Sequence, residues 1–270
     1  MPELPEVETV RRTLKNFILN KTIESIEVRY PKIIDGDVET FVSTLIHQSI
    51  RDIDRKGKYL IFILDHDAFI SHLRMEGKYN IKNKDVPYDK HDHIIFHMTD
   101  GTDLRYNDTR KFGRMKLVDK EHYDSYEPLN KLGQEPMTAS FDYIYPLIHK
   151  SHLPIKQVLL NQSIFAGIGN IYANEICFRM HIDPRTKADK LSKKRVQELI
   201  DVSSDVLKEA IKQGGTTIHS FDANGIHGLF QVQLHVHNQK TCDICQGPIK
   251  KITIAGRGTY FCPHCQKRRY

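Results

Sequence analysis

Apolar residues recur at helical spacing directly after the first six residues of the chain. The positions that make this pattern are Val7, Val10, Leu14 and Phe17 or Ile18. Intervals of three and four residues place side chains on one face of an α-helix, so the pattern predicts an amphipathic helix. Pro5 falls in its first turn, where the fixed backbone angle of proline is favourable. Glu6 and Glu8 suit the positive end of the helix dipole.

Short runs of strand-forming residues, separated by turn formers, occupy the next part of the chain. These runs are 23–28, 59–64, 69–75, 91–98, 102–106 and 114–118. Asp100-Gly101 separates two of them and is a strong hairpin signal. Many short strands with tight turns predict an antiparallel β-sandwich or β-barrel. We place this domain at residues 1–130, with the first helix packed on it.

The remaining elements are predicted to be mainly helical. Residues 131–150 contain Glu135-Pro136 and Pro146 and are predicted to be a linker. The elements that follow are a short helix at 155–161, a turn at 167–170, a helix at 171–180 and a longer helix between Ser192 and Gly214-Gly215. This order predicts a helix–two-turn–helix domain at residues 151–237. Its polar, glycine-containing part at 216–231 is predicted to be mobile.

The net charge of +6 is concentrated at the C-terminal end of the chain. Residues 238–270 contain seven basic residues and one acidic residue, whereas basic and acidic residues are equal in number in residues 1–237. A basic segment on an electrically balanced body predicts a polyanionic partner. No segment approaches the roughly 18–20 apolar residues of a membrane span, and no signal-peptide pattern is present. We therefore expect a cytoplasmic protein that does not associate with membranes.

Four of the five cysteines lie in this basic segment. They form two Cys-x2-Cys pairs, Cys242 with Cys245 and Cys262 with Cys265, separated by sixteen residues. Each pair suits one half of a tetrahedral site, so the spacing predicts one structural Zn²⁺ ion in a zinc finger at residues 238–270. Disulfides are the alternative, but the absence of a secretion signal and the isolated fifth cysteine disfavour them. Four thiolate ligands leave no open position for catalysis.

The N-terminal segment carries candidate catalytic chemistry. If Met1 is removed, the chain begins with Pro2, whose secondary amine is a nucleophile at a fixed place. Glu3 and Glu6 follow within reach of that amine and are candidates for proton transfer. The positive end of the helix favours the neutral, nucleophilic form of the amine. The residues alone leave open the alternative that this segment is only a well-capped helix start.

Three motifs together resemble the formamidopyrimidine-DNA glycosylase family. They are Pro2-Glu-Leu-Pro-Glu-Val-Glu-Thr9, Gly167-x-Gly-Asn170-Ile-Tyr-Ala173 and Gly256-Arg257-Gly-Thr-Tyr-Phe-Cys262. The similarity extends over the whole chain, with the motifs in the order and spacing of the family. The resemblance implies an α+β multi-domain fold with an N-terminal antiparallel β-sandwich, a helix–two-turn–helix domain and a C-terminal zinc-finger β-hairpin.

The resemblance also implies an activity. Members of this family are bacterial repair enzymes that flip oxidised purines, such as 8-oxoguanine and formamidopyrimidines, out of duplex DNA and excise them. They then cleave the strand by successive β- and δ-elimination. The implied partner is double-stranded DNA that contains oxidised purines, and we expect the protein to act as a monomer.

Five residues match catalytic positions of the family. Pro2 matches the nucleophile, which attacks C1′ of the sugar and forms a Schiff base. Glu3 matches the general acid, and Glu6 matches a supporting carboxylate. Lys58 matches a lysine linked to β-elimination and phosphate contact, and Arg257 matches the residue linked to δ-elimination and to the phosphate beside the lesion. Without the family, Lys58 would be interpreted as an exposed hairpin lysine.

Three further residues match side chains that fill the space left by a flipped nucleotide. Met75 and Phe112 are suitable wedges between base steps. Arg110 can donate hydrogen bonds to the cytosine opposite the lesion. From the residues alone, Met75 and Phe112 would instead be assigned to the core. The segment 216–231 corresponds to the loop that covers the flipped base.

Other residues match contacts to the DNA backbone. His91 and Asn170 correspond to phosphate contacts, and Lys156 corresponds to a further basic group near the same face. Asn170 begins a predicted helix, and helix N-termini bind phosphate well. Glu175 falls where the family has an acid near the lesion pocket.

The chain departs from the family pattern at two places. Lys111 stands where many relatives have a second arginine, which preserves the charge. The run Lys150-Ser151-His152 contains fewer lysines than relatives carry in this region, which puts one phosphate contact in doubt.

Two other functions fit part of the sequence. An endonuclease VIII-like glycosylase, which acts on oxidised pyrimidines, shares the N-terminal proline, the helical unit and the finger. The sequence PELPE rather than PEGPE, together with Met75, Arg110 and Phe112, favours the purine enzyme. A zinc-ribbon protein that only binds nucleic acid explains the basic segment but gives no reason for Pro2 and Glu3.

Overall fold

The computed structural model describes residues 1–215 and 234–268. The loop expected at 216–231 therefore lies outside the described residues. No helix in the described part of the chain is long and apolar enough to cross a membrane.

The chain divides into two compact units. The first contains Met1–Asn130 together with Gly214 and Gly215. The second contains Lys131–Gln213 and, among the later residues that the structure describes, 234–268.

The first unit is built around two four-stranded antiparallel sheets. Its elements are α1 (Leu4–Ile18), β1 (Ile23–Val28), α2 (Val38–Leu45), β2 (Ile50–Lys56), β3 (Tyr59–Leu64), β4 (Asp67–His72), β5 (Lys78–Asn83), β6 (Asp92–Met98), β7 (Thr102–Asn107) and β8 (Arg114–Asp119). One sheet has the strand order β1-β6-β7-β5, and the other has the order β2-β3-β4-β8.

Aromatic side chains fill the space between the two sheets. The ring of Phe69 on β4 stacks on Phe62 of β3 at 4.5 Å, and on Phe96 of β6 in the other sheet at 5.5 Å. All three rings are fully buried. Stacked rings at these distances add to the free energy gained by burying their apolar surface. The antiparallel β-sandwich expected from the sequence is therefore confirmed.

Helix α1 packs against this core with the face that its sequence predicts. The apolar residues Val7, Val10, Leu14 and Ile18 are buried in the core, and Phe17 is only partly buried. The start of the helix is closed by a capping box between Glu3 and Glu6, in which Glu6 Oε2 accepts a hydrogen bond from the backbone N–H of Glu3 at 2.8 Å. Reciprocal capping satisfies backbone donors that a helix start otherwise leaves unpaired.

The second unit contains four helices and one hairpin among its described residues. These are α3 (Phe141–His149), α4 (Ile155–Leu160), α5 (Asn170–Arg179), α6 (Lys193–Lys212), β9 (Lys250–Ile254) and β10 (Arg257–Phe261). Ser192 Oγ accepts a hydrogen bond from the backbone N–H of Arg195, which confirms the predicted N-cap of α6. The polypeptide after β10 is tied to the helices because Gln266 Nε2 donates to the backbone oxygen of Ile182 at 2.9 Å.

The α+β fold with a helical part and a C-terminal four-cysteine hairpin is confirmed, but several element boundaries differ from expectation. The strand predicted at 69–75 ends at His72, so Met75 lies in the turn that follows β4. Elements α2, β2 and β5 were not predicted. Helix α3 lies within the residues predicted to be a linker and contains Pro146. The division into four domains at 1–130, 131–150, 151–237 and 238–270 stays a prediction.

Candidate active site and metal centre

The predicted nucleophile and its carboxylates lie at the start of α1. Glu3 and Glu6 are buried, and Pro2 is partly exposed. The sequence begins with Met1, so the nitrogen of Pro2 is an amide until Met1 is removed. The N-terminus of a helix favours negative charge, which suits both carboxylates.

A glycine lies directly against one of these carboxylates. A Cβ atom on Gly215 would come within 2.8 Å of Glu6 Oε1, and Gly215 adopts a φ of +87°. The left-handed backbone favours glycine at this position, and a Cβ atom there would displace the Glu6 side chain. The preceding carbonyl, that of Gly214, accepts a hydrogen bond from Thr9 Oγ1 at 3.0 Å. The segment after α6 is therefore fitted to the first turns of α1.

Lys58 lies in the two-residue turn between β2 and β3. Gly57 forms this turn with a φ of +58°. Lys58 itself is only 6% exposed. The interpretation of Lys58 as an exposed hairpin lysine is therefore wrong. A buried ammonium needs specific partners or a ligand to offset its desolvation.

His72 lies close to Lys58, and no motif in the sequence pointed to this histidine. Tyr59 pairs with His72 across β3 and β4, and their rings are 4.4 Å apart. Burial, the charge of Arg74 and the charge of Lys58 lower the pKa of His72 to about 3. Its Nδ1 accepts the backbone N–H of Arg74 at 2.8 Å, so the neutral ring carries its proton on Nε2. The neutral His72 ring thus offers a hydrogen-bond donor close to the Lys58 ammonium. Only the pairing of β3 with β4 shows that these two residues are neighbours.

Met75 and Phe112 are exposed, which contradicts their assignment to the core. Met75 is 38% exposed and Phe112 is 48% exposed. The guanidinium of Arg110 lies over the ring of Phe112, with Cζ 4.7 Å from the ring centre. Large exposed apolar side chains grouped with a cation are typical of a binding surface.

Asp108 holds the loop that carries Arg110 and Phe112. Its Oδ1 accepts the backbone N–H of Arg110, and its Oδ2 accepts those of Phe112 and Gly113, each at 2.9 Å. Asp108 is fully buried. A carboxylate that collects several backbone donors fixes the path of the chain around it, so the exposed side chains project from a rigid base.

The hydroxyl of Tyr106 lies under both exposed loops. A Cβ atom on Gly113 would come within 1.7 Å of this oxygen, and one on Gly77 would come within 2.1 Å. Thr109 Oγ1 also donates a hydrogen bond to Glu76. The turn that carries Met75 and the loop that carries Phe112 therefore share one support.

His91 lies beside the same loop. Its backbone oxygen accepts the N–H of Asp108 at 3.1 Å. Its ring is half-buried, and Nδ1 has no hydrogen-bond partner among the described residues. The first unit thus brings His91 next to the support of Arg110 and Phe112.

In the second unit, Lys156 is fully buried between α4, α5 and β10. Its Nζ donates to Thr259 Oγ1 at 2.7 Å, to Asn170 Oδ1 at 2.8 Å and to the backbone oxygen of Gly258 at 3.1 Å. The amide of Asn170 also donates to the oxygen of Gly258, at 3.0 Å. Lys156 and Asn170 therefore hold the strand that begins with Arg257.

Arg257 is exposed at the start of β10. The turn before it, Ala255-Gly256, has two positive φ angles of 48° and 71°. This is the backbone of a tight hairpin turn, which places Arg257 opposite Ile254 on β9.

Glu175 on α5 serves as an anchor for a loop. Its carboxylate accepts the backbone N–H groups of His235, Val236 and His237 at 2.8, 3.1 and 2.8 Å. Burial raises the pKa of Glu175, although the three hydrogen bonds oppose that effect. The side chain thus fixes the first residues described after position 233.

The four predicted zinc ligands lie together in the second unit. The sulfur atoms of Cys242, Cys245, Cys262 and Cys265 all lie within 4.8 Å of one another. The Cys242–Cys265 and Cys245–Cys262 sulfur pairs are 3.8 and 3.5 Å apart. Tetrahedral zinc with Zn–S bonds of about 2.3 Å needs sulfur separations of about 3.8 Å, whereas a disulfide needs about 2.05 Å. The four cysteines therefore fit one structural zinc ion, and disulfides are excluded.

Comparison with protein-family models gives three matches along the chain. Residues 1–115 match the formamidopyrimidine-DNA glycosylase N-terminal domain. Residues 132–222 match the formamidopyrimidine-DNA glycosylase H2TH domain. Residues 239–268 match a zinc finger found in FPG and IleRS.

Whole-length relatives carry the same family name. The chain is 48% identical to the formamidopyrimidine-DNA glycosylase of Lactobacillus helveticus, over 98% of this chain and 99% of the relative. It is 45% identical to that of Bacillus subtilis over the full length of both chains.

Solved structures agree in fold. A complex between Lactococcus lactis Fpg and DNA that contains N7-benzyl-Fapy-dG has a TM-score of 0.92 and 40% identity, and covers 99% of this chain and 100% of that one. A complex of the same enzyme with DNA that contains an abasic site has a TM-score of 0.92 and 39% identity, with 98% and 100% covered.

Proposed function

This chain belongs to the formamidopyrimidine-DNA glycosylase family, and on that premise we propose that it excises oxidised purines from duplex DNA and then cleaves the strand. The family consists of DNA glycosylases that are also AP lyases. The Lactococcus lactis relative is named in complexes with DNA that contains Fapy-dG or an abasic site, which are the substrate and intermediate of such a reaction. We also propose that the protein lies in the cytoplasm, where it associates with the nucleoid.

One observation carries the proposal most directly: Pro2 directly precedes two buried carboxylates at the positive end of α1. After removal of Met1, the amine of Pro2 attacks C1′, and the bond between C1′ and the base breaks. Opening of the sugar ring leaves an iminium between Pro2 and C1′. That cation is an electron sink, which makes the C2′ proton acidic and permits elimination of the 3′ phosphate.

The carboxylates supply and remove protons. Glu3 protonates the sugar ring oxygen or the departing base and later transfers protons during elimination. Glu6 supports Glu3 through its hydrogen bond with the Glu3 backbone N–H. Lys58 assists β-elimination and contacts phosphate, and Arg257 assists δ-elimination and binds the phosphate beside the lesion.

The exposed side chains of the first unit fit the step that exposes the damaged base. A base inside a duplex is out of reach of the amine, so it must be flipped at a cost of a few kcal/mol. Met75 and Phe112 insert where the nucleotide was, and Arg110 donates to the orphaned cytosine. The rigid support given by Asp108 and Tyr106 lowers the entropy lost when these side chains insert.

Each unit carries residues that match phosphate contacts of the family. In the first unit, His91 and Lys58 contact phosphate. His72 lies close to Lys58 and contacts phosphate as well. His72 donates through Nε2 as a neutral group, because its pKa is about 3. Asn170 contributes through the N-terminus of α5. Lys156 acts at the same face by holding β10 in place.

An endonuclease VIII-like specificity is the second candidate, and substrate choice separates the two. Cleavage rates are measured on matched duplexes that carry 8-oxoguanine opposite cytosine or thymine glycol opposite adenine. The proposal predicts faster cleavage of the 8-oxoguanine duplex. A clear preference for thymine glycol would replace it with the pyrimidine enzyme, and cleavage of neither duplex would leave a DNA-binding zinc protein.

A further inference from the structure

The carboxylate of Glu8 forms hydrogen bonds with three arginines. Glu8 is buried on α1, and it accepts hydrogen bonds from Arg11, Arg12 and Arg55 at distances from 2.7 to 3.0 Å. Burial opposes ionisation of Glu8, but the three guanidinium groups outweigh it and lower its pKa to about 2. Glu8 is therefore ionised throughout the physiological range. Its role is not proton transfer.

Arg55 differs from the other two arginines because it does not belong to α1. It lies on β2, and its Nε donates to Glu8 Oε2 at 3.0 Å. Its Nη1 donates to the backbone oxygen of Gly57 at 3.0 Å. Gly57 directly precedes Lys58. One nearly buried guanidinium thus joins the helix that begins beside Pro2 to the turn that carries Lys58.

We propose that Arg55 is a positioning residue that holds the Pro2 helix and the Lys58 turn in register for the two chemical steps. This inference rests on the proposed function, in which Pro2 forms the covalent bond and Lys58 assists elimination. In this role Arg55 acts through Glu8 and the Lys58 turn and not on the reacting atoms themselves.

The chemistry of the contacts explains why arginine is needed. The planar guanidinium directs donors at two acceptors in fixed directions, whereas a lysine ammonium is a point charge on a flexible stem. The charge-assisted bond to Glu8 is about twice as strong as a neutral one. A displacement of about 1 Å at reacting groups costs on the order of 100-fold in rate, so loss of this connection has a kinetic effect well beyond its effect on stability.

The test compares Arg55→Ala and Arg55→Lys with Arg51→Ala. Arg51 lies on the same strand and forms a salt bridge with Asp65, but it makes no contact with Glu8 or with the Lys58 turn. Three quantities are measured for each protein: the rate of borohydride trapping on 8-oxoguanine DNA, the rate of strand cleavage on a preformed abasic site, and the Kd for DNA with an uncleavable abasic analogue.

We expect Arg55→Ala to lower the saturated trapping and cleavage rates together, by about 10- to 100-fold, with less than a roughly threefold change in Kd. Arg55→Lys keeps the charge but cannot make both bonds, so it restores folding stability without restoring the rates. Arg51→Ala keeps wild-type rates. This split between rates and affinity would not result from a general loss of folded protein, because inactive molecules lower the amplitude of trapping and not its rate.

Wild-type rates in both Arg55 variants would overturn the inference. A higher Kd for DNA with unchanged trapping and cleavage rates would also overturn it. If Arg55→Ala does not fold, Arg55→Lys decides the question by the same rates. Trapping by the wild-type protein distinguishes failure of this inference from failure of the proposed function. Trapping by the wild type with equal rates in the Arg55 variants refutes only the positioning role, whereas no trapping by the wild type refutes the proposed function.

Discussion

Lys156 donates a hydrogen bond to the backbone oxygen of Gly258 at 3.1 Å, one residue after Arg257. The two residues are 102 positions apart in the chain. The ammonium is fully buried, and its other acceptors are Asn170 and Thr259. In the proposed function the lysine therefore acts by fixing the position of the hairpin, and its charge does not need to reach a phosphate.

Replacement of Lys156 by Met is expected to impair the step assigned to Arg257. Loss of the ammonium removes the donor to Asn170 Oδ1 and Thr259 Oγ1, at a cost of about 1–3 kcal/mol each before relaxation, whereas the oxygen of Gly258 keeps the amide of Asn170. The hairpin then shifts, so the ratio of β,δ- to β-elimination products falls. Product ratios on a preformed abasic site and the unfolding temperature check this. Lys187→Met, which changes an exposed lysine of the same unit, is the control. An unchanged ratio in the Lys156 variant would contradict the account.

Replacement of Gly113 by Ala is expected to disturb base flipping. The new methyl group would lie 1.7 Å from the hydroxyl of Tyr106, so the loop or the ring must move. Overpacking of this kind costs about 1–3 kcal/mol, and the movement displaces Arg110 and Phe112. Fluorescence of 2-aminopurine next to the lesion reports flipping and should rise more slowly than with the wild type. Normal flipping kinetics in a folded Gly113→Ala protein would show that the shared support is unimportant.

The buried ring of His72 predicts a specific dependence of stability on pH. Its folded pKa is about 3, and an unfolded histidine has a pKa of about 6.5. Between these values the unfolded chain binds a proton that the folded chain does not, so stability rises with pH and is lost as pH falls below 6.5. The free energy of unfolding lost through His72 reaches on the order of 5 kcal/mol when the pH falls to about 3.

Denaturant unfolding of wild type and His72→Asn between pH 4 and 7.5 tests this dependence. The wild-type free energy of unfolding should increase with pH more steeply than that of the variant below pH 6.5. Parallel curves would mean that folding does not lower the pKa of His72.

Removal of zinc is expected to unfold the hairpin and abolish strand cleavage. The β9–β10 segment is too small to fold on its own core, so metal binding supplies its folding free energy. Cys265→Ser should lower zinc content and the affinity for abasic DNA. Circular dichroism of the sandwich aromatic residues should persist, because they lie in the first unit. Full cleavage by a zinc-free protein would refute the role of the finger.

The sequence predicted those features that depend on local pattern. Apolar spacing in α1, the Asp-Gly turn before β7, and the cysteine pairs each specify structure within a short segment. Strand β2 was missed because its sequence IRDIDRK has only two apolar positions, three residues apart. Residues of β5 alternate, but only two of its six residues, Tyr79 and Ile81, are apolar.

Contacts between distant segments could not be predicted from residue type. Met75 and Phe112 are apolar, so composition assigned them to the core, whereas the supports below them hold them exposed. Lys156 was matched only to a basic group near the phosphate contacts, and its residue type did not show that three acceptors from α5 and β10 make its burial possible. His72 gave no signal until the pairing of β3 with β4 placed it near Lys58. Tertiary contacts of this kind override the preferences of individual residues.

The central claim is that the amine of Pro2 bonds to the sugar of the damaged nucleotide. Borohydride reduction during reaction with 8-oxoguanine duplex, followed by proteolysis and mass spectrometry, locates the adduct. The account predicts one adduct, on a peptide that begins with Pro2, and none in protein that retains Met1. An adduct on a lysine, or efficient cleavage with no trapped peptide, would contradict it.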